Sequence, residues 1–156
     1  MKITKMRDIS QISTYESGVM QATANRLLGR INADFLSQYG LTPMQWFVIG
    51  FAHDAGTAGV RLSDLKSILD TSMPFITNIV NQLESKGILQ KLAHTDDNRV
   101  KIAVLSPRYK KTAEKIEAGL RDDLREKLYS TSDITREELS AYITVLHKIN
   151  QSNRNK

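Results

Sequence analysis

The sequence predicts a mainly α-helical chain with one small antiparallel β-hairpin, and three observations predict it. Apolar residues recur at helical spacing through most of its length. A lysine and a glycine stop a helix at Leu83-Glu84-Ser85-Lys86-Gly87. Directly afterwards come Ile88-Leu89-Gln90-Lys91-Leu92, the polar cluster His94-Thr95-Asp96-Asp97-Asn98-Arg99 and the alternating run Val100-Lys101-Ile102-Ala103-Val104-Leu105, the pattern of two strands and their connection. A helix that feeds a basic-tipped hairpin is a winged helix. Such a unit suits holding one helix against the DNA major groove while a loop reaches phosphates or the minor groove.

The first helix is predicted over residues 14–39, with Ala24, Leu27, Leu28, Ile31, Phe35 and Tyr39 on one face. Gly40 suits its C-terminal cap, while Thr42 and Pro43 are the N-cap and first-turn residues of a second helix. That helix, residues 44–53, carries Trp46, Phe47, Val48, Ile49 and Phe51, apolar on nearly all sides and therefore expected to be buried. Residues 54–59, with two glycines, break it. A short helix over residues 62–69 and another opened by Ser72 and Pro74 and running to Lys86 make a helix-turn-helix. In the second of these, Ile76, Ile79, Val80 and Leu83 form an inward stripe, which leaves Thr77, Asn78, Asn81 and Gln82 facing out. After the hairpin, Ser106-Pro107 starts a long helix with Ala113, Ile116, Leu120, Leu124 and Leu128 on one face. Residues 132–135 interrupt it, Thr135 and Glu138 fit a capping box, and Leu139, Tyr142, Ile143, Leu146 and Ile149 stripe a last helix. One unit over residues 1–156 is expected: residues 10–40 and 107–156 as helices that bury each other across a twofold homodimer, and residues 41–106 as the winged helix.

Charge placement supports a nucleic-acid partner. The 156 residues carry a formal charge of +5, and residues 86–115 alone hold eight cations against three carboxylates. A basic surface beside a helix-hairpin unit is the footprint of a protein that displaces counterions from phosphates. The absence of cysteine excludes disulfides, thiolate zinc sites and cysteine redox chemistry. No apolar run reaches the roughly 18 residues of a membrane span, and Met1-Lys2-Ile3-Thr4-Lys5 lacks the apolar stretch of a signal peptide, so a cytoplasmic location is expected. His53, His94 and His147 stand without Asp or Glu at metal spacing, and no nucleophile elbow, phosphate-binding glycine loop or carboxylate pair occurs. Neither a catalytic residue, a metal nor a cofactor is expected, and the chain reads as a non-enzyme.

Several motifs resemble the MarR family of winged-helix transcriptional regulators, over about residues 14–150. Gly40-Leu41-Thr42-Pro43-Met44-Gln45-Trp46 resembles the family's link between its first two helices, Leu83-Glu84-Ser85-Lys86-Gly87 the end of its recognition helix, and Lys91, Asp97-Asn98-Arg99 and Leu105-Ser106 its wing. The resemblance implies an obligate homodimer on a pseudo-palindromic operator, usually a repressor released by small phenolic or anionic ligands. It also implies that Arg99 enters the minor groove, oriented by a charge-assisted hydrogen bond to Asp97. Two departures stand out. No Lys or Arg occurs between Lys66 and Lys86, where family members commonly carry arginines, and Tyr109 replaces the usual glycine after the wing.

The expected DNA contacts are therefore Thr77, Asn78, Asn81 and Gln82 on bases, Ser72 and Met73 at the helix start near phosphate, and Lys91, Lys101, Asp97 and Arg99 on the wing. Neutral amides suit adenine better than guanine, so an A·T-leaning operator is expected. Tyr39 and Trp46 are either plain core residues or the lining of an effector pocket in which Arg26 or Arg30 receives an anion. The rival readings are a winged helix used as a protein-interaction module and a ligand-insensitive DNA binder.

Overall fold

The structure, a computed structural model, describes residues 7–154. The segment Met1-Lys2-Ile3-Thr4-Lys5, read above for a leader, lies outside the described residues. The chain divides into two compact units, Met1–Gln21 with Arg121–Lys156, and Ala22–Leu120.

Helix α1 spans Thr14–Ser37 and α2 Pro43–Ala55. Gly40 between them adopts a φ of +66° and Thr42 caps α2, both as the sequence predicts, and the cap is a reciprocal capping box with Gln45. Within the single chain little of the α1 stripe is buried. Leu36 is its only buried residue, while Ala24 and Leu27 are exposed. In α2, Trp46, Val48, Ile49 and Ala52 are buried, but Phe47 and Phe51 are 41% and 36% exposed, so the helix is not buried all round. Its inward face is already filled, and the two phenylalanines lie i, i+4 on the other side.

A two-residue strand, β1 (Val60–Arg61), follows a 3-10 turn over Gly56–Ala58 and corrects the two-strand expectation. Helix α3 (Leu62–Ile68) and α4 (Met73–Ser85) come next, then β2 (Leu89–Ala93) and β3 (Lys101–Leu105). The sheet order is β1-β3-β2, antiparallel throughout, with Val60 opposite Ala103 and Lys91 also opposite Ala103 on the other side. Gly59 makes β1 possible. Its φ is +71°, and a Cβ there would stand 2.7 Å from Val104 Cγ2 and 2.9 Å from the Ala103 carbonyl oxygen.

The core of this unit joins Leu36, Val48, Ile49, Leu65, the full α4 stripe of Ile76, Ile79, Val80 and Leu83, and Leu89 and Ala103 of the sheet. After β3 the chain passes through a 3-10 turn, Pro107–Tyr109, before α5 (Lys110–Leu124), rather than entering the helix directly. Tyr109, the departure from glycine noted above, is half-buried in that turn. Ala113, Ile116 and Leu120 are buried as expected. Beyond Leu124 the helix widens into one π turn, Arg125–Tyr129, so the stripe does not run regularly to Leu128. In the terminal unit, Thr135 and Glu138 form the expected capping box: Glu138 Oε2 accepts from Thr135 N at 2.8 Å, and Thr135 Oγ1 from Glu138 N at 3.2 Å. Helix α6 (Arg136–Arg154) follows, and none of its residues is buried.

Candidate nucleic-acid interface

Ser72 and Pro74 start α4, and the Ser72 hydroxyl accepts from Phe75 N at 3.3 Å. That hydroxyl accepts as a cap and keeps its own O–H to donate, while Met73 beside it is 37% exposed. The turn from α3 to α4 is closed by Thr71 N donating to the Lys66 carbonyl at 3.1 Å, with Asp70 at a φ of +47°. With the apolar stripe facing the core, Thr77 is half-buried and Asn78, Asn81 and Gln82 are exposed, as expected. The far end of α4 is pinned by Lys86, whose Nζ donates to the Gly40 carbonyl at 2.7 Å. Two features read separately from the sequence, a helix-ending lysine and a link glycine, thus meet in one contact.

The wing ties back onto this helix. Lys91 N donates to Glu84 Oε2 at 2.7 Å, and Lys91 Nζ donates to Asn81 Oδ1 at 2.6 Å. Lys91 therefore stands at the junction of wing and α4. At the tip, His94 N donates to the Val100 carbonyl at 2.8 Å and Arg99 N to Asp97 Oδ1 at 2.9 Å. The Arg99 Nε is 3.8 Å from the same oxygen, an ion-pair distance too long for the expected hydrogen bond, so Asp97 orients the arginine through its backbone. The Arg99 side chain is 95% exposed. Lys101 Nζ donates to the Asn98 carbonyl at 3.2 Å, which puts a second cation at the loop.

Sequence reasoning missed Gln45. It is 6% exposed, takes Thr42 N on its Oε1 at 3.1 Å, and its Nε2 donates to Gln82 Oε1 at 3.0 Å. The spacing Thr42-x-x-Gln45 is a capping-box signature that would have marked the residue, though not its partner on α4. Arg61, exposed on β1, and Phe75, 40% exposed at the start of α4, were also missed.

The four residues read as possible pocket lining differ in setting. Arg26 and Arg30 are exposed on α1, and Trp46 is buried in the core. Tyr39 pairs its ring with Phe35 at 5.9 Å. Burial pushes the Tyr109 hydroxyl above the ordinary tyrosine range, with nearby Tyr39 adding to it. An open cleft of about 590 Å³ behind the wing is lined by Glu84, Gly87, Leu89, Gln90, Ser106, Pro107 and Arg108, and by none of those four. His53 lies 3.5 Å from both Asp54 Oδ1 and Glu114 Oε1, the first its chain neighbour and the second brought in from 61 positions away. Among the described residues no cluster of His, Asp or Glu is placed to hold a metal ion, and no helix is long and apolar enough to cross a membrane.

A capped helix with a polar outer face, set beside a basic hairpin, defines a winged helix-turn-helix. Residues 41–101 match the MarR family model, and the resemblance read from the sequence is borne out over that stretch. The fold extends the likeness along the chain. A variant of MarR from E. coli complexed with operator DNA matches with a TM-score of 0.72 at 23% identity, covering 85% of this chain and 91% of that one. AbsC, a MarR family transcriptional regulator from Streptomyces coelicolor, gives 0.76 at 19% identity, covering 97% and 100%. CouR from Rhodococcus jostii RHA1, bound to p-coumaroyl-CoA, gives 0.77 at 15% identity, covering 90% and 95%. No curated protein matches the chain.

Proposed function

We propose that the chain is a cytoplasmic, homodimeric DNA-binding transcriptional regulator that places α4 of each copy in the major groove of a pseudo-palindromic operator and Arg99 of each wing in the minor groove. The observation that carries this is the wing tip. A backbone-anchored arginine with a 95% exposed side chain stands on a hairpin that is bonded directly to the outer face of α4. Thr77, Asn78, Asn81 and Gln82 are the base-reading candidates, Ser72, Met73, Lys91 and Lys101 the phosphate neighbours, and Asp97 the residue that positions Arg99.

The operator complex of the E. coli relative supports the DNA partner. Dimerisation has separate support in the terminal unit, whose Tyr15, Val19, Tyr142, Ile143, Val145 and Ile149 are exposed. The ligand complex of CouR supports an effector of the phenolic or anionic kind. Such a ligand would relieve repression by favouring a dimer whose two α4 helices are misplaced for half-sites about one DNA turn apart. Tyr39, Trp46, Arg26 and Arg30 remain the candidates for receiving it.

Gel-shift titrations over a range of salt test the reading, using duplexes from the DNA flanking the gene. Arg99→Ala is expected to weaken binding by about 1–3 kcal/mol and to flatten the salt dependence. Unchanged affinity and slope would reject the role of the wing. Indifference of the wild-type chain to duplex in dilute buffer would favour a protein-interaction module instead.

A further inference from the structure

We infer that α4 offers Asn81 and Gln82 to DNA as hydrogen-bond donors only, so that the base pairs facing them are selected for major-groove acceptors. The inference rests on the DNA-binding reading above and adds to it a rule for base preference.

The orientation of each amide follows from partners that can only donate. An ammonium has three donors and no acceptor, so the Asn81 atom that meets Lys91 Nζ at 2.6 Å is the carbonyl oxygen. The amino group of Asn81 is then the end left to a ligand. For Gln82 the logic runs through two steps. The backbone N–H of Thr42 donates to the Gln45 side chain at 3.1 Å, which makes that atom Oε1 and leaves Nε2 as the other end. Nε2 donates to Gln82 at 3.0 Å, so the Gln82 oxygen is held towards α2 with one of its two lone pairs used, and its amino group is the end left to a ligand. The cap of α2 therefore sets the polarity of a side chain on α4.

The lock on Gln82 is the firmer of the two. Gln45 is buried, and turning Gln82 over would set two amino groups against each other and strand a buried donor. Lys91 is held in place by its backbone bond to Glu84 and by its position in the sheet. Asn78, exposed and without a side-chain partner among the described residues, keeps both poles.

The chemistry of the bases converts this into a preference. An amide reads adenine bidentately only with both ends, giving its amino group to N7 and accepting from the N6 amino group. Asn78 alone meets that requirement. A donor-only amide is accepted by guanine N7 and O6, by thymine O4 or, through one hydrogen bond, by adenine N7, and is refused by the amino group of cytosine. The uniform A·T preference expected from three neutral amides thus narrows to one adenine-reading position and two acceptor-reading positions.

Selection of duplexes from a random library by the full chain, followed by competition with single-base variants, tests this. Wild type is expected to disfavour cytosine about fivefold or more at the two acceptor-reading positions. Gln45→Glu keeps the capping box, since its carboxylate still accepts from Thr42 N, but offers Gln82 no donor. Gln82 then turns its amino group inward, and one position of the enriched motif should switch towards cytosine or adenine. Lys91→Met frees the Asn81 carbonyl and should move a different position towards adenine. Thermal melting monitors folding, and Lys91→Met, away from the core, carries the test alone if Gln45→Glu fails to fold. Motifs left unchanged by these variants, with only overall affinity altered, would overturn the inference and leave the DNA-binding reading standing. Failure of wild type to enrich any sequence at low salt would overturn both.

Discussion

The two units of the chain differ in what they bury. Within Ala22–Leu120, residues from every helix and from the sheet reach near-zero exposure, among them Leu36, Ile49, Leu65, Ile76, Leu89 and Ile116. Among the described residues of Met1–Gln21 and Arg121–Lys156, none is buried, although Ile143, Val145 and Ile149 are 59%, 54% and 56% exposed. Burial contributes roughly 25 cal/mol per Å² of apolar surface, so the first unit has much the larger source of stability of its own. The lesson is that an amphipathic stripe has two uses. On α4 it faces a core made by the same chain, whereas on α6 it awaits surface from elsewhere, and a second copy is the partner proposed for it.

Substitutions on the two stripes should separate these uses. Ile143→Asp would place an unpaired charge in the proposed interface and is expected to weaken self-association by about 3–5 kcal/mol, measured by sedimentation equilibrium, while leaving helical content in place. An unchanged association constant would remove this face from the interface. Ile76→Ala, on the buried stripe, should lower unfolding stability by about 2–5 kcal/mol in denaturant titration whatever the protein concentration. A concentration-dependent loss would mean that the two stripes are not independent.

The smallest effect is expected at alkaline pH. The Tyr109 hydroxyl titrates above the ordinary tyrosine value of 10.0 because burial disfavours its anion, with Tyr39 nearby as a second cause. The folded chain thus holds that proton after the unfolded chain has released it. This stability is fully present below the unfolded value and is lost as pH rises from there through the folded value. Tyr109→Phe should leave melting at about pH 8 little changed and reduce the loss at about pH 11, with a remaining slope because Tyr129 is shifted in the same direction. Identical alkaline losses in the two proteins would contradict the assignment.

What was legible in the sequence follows the range of the interactions. Thr42 with Pro43, Ser72 with Pro74, and Thr135 with Glu138 act within one helical turn, and each marks a helix start in the structure. The Ile76, Ile79, Val80 and Leu83 stripe is periodic and hence visible, and so is the alternation of β3. Strand β1 was not legible, because two residues carry no period and become a strand only by pairing with Ala103 and Ile102. The exposure of Phe47 and Phe51 depends on which neighbours arrive, which α2 alone does not state. The interface was half readable. Its residue types and charge were visible, but Gln45 meets Gln82 across 37 positions and Lys91 meets Asn81 across 10, and no local spacing announces such pairs.

Sedimentation equilibrium of the wild-type chain at micromolar concentration tests the central claim most directly. A mass of twice 17.6 kDa, shifting to the single-chain value in Ile143→Asp, is the predicted result. A wild-type mass of 17.6 kDa with a fully folded α6 would contradict it, since the apolar face of that helix would then be stable without a second copy.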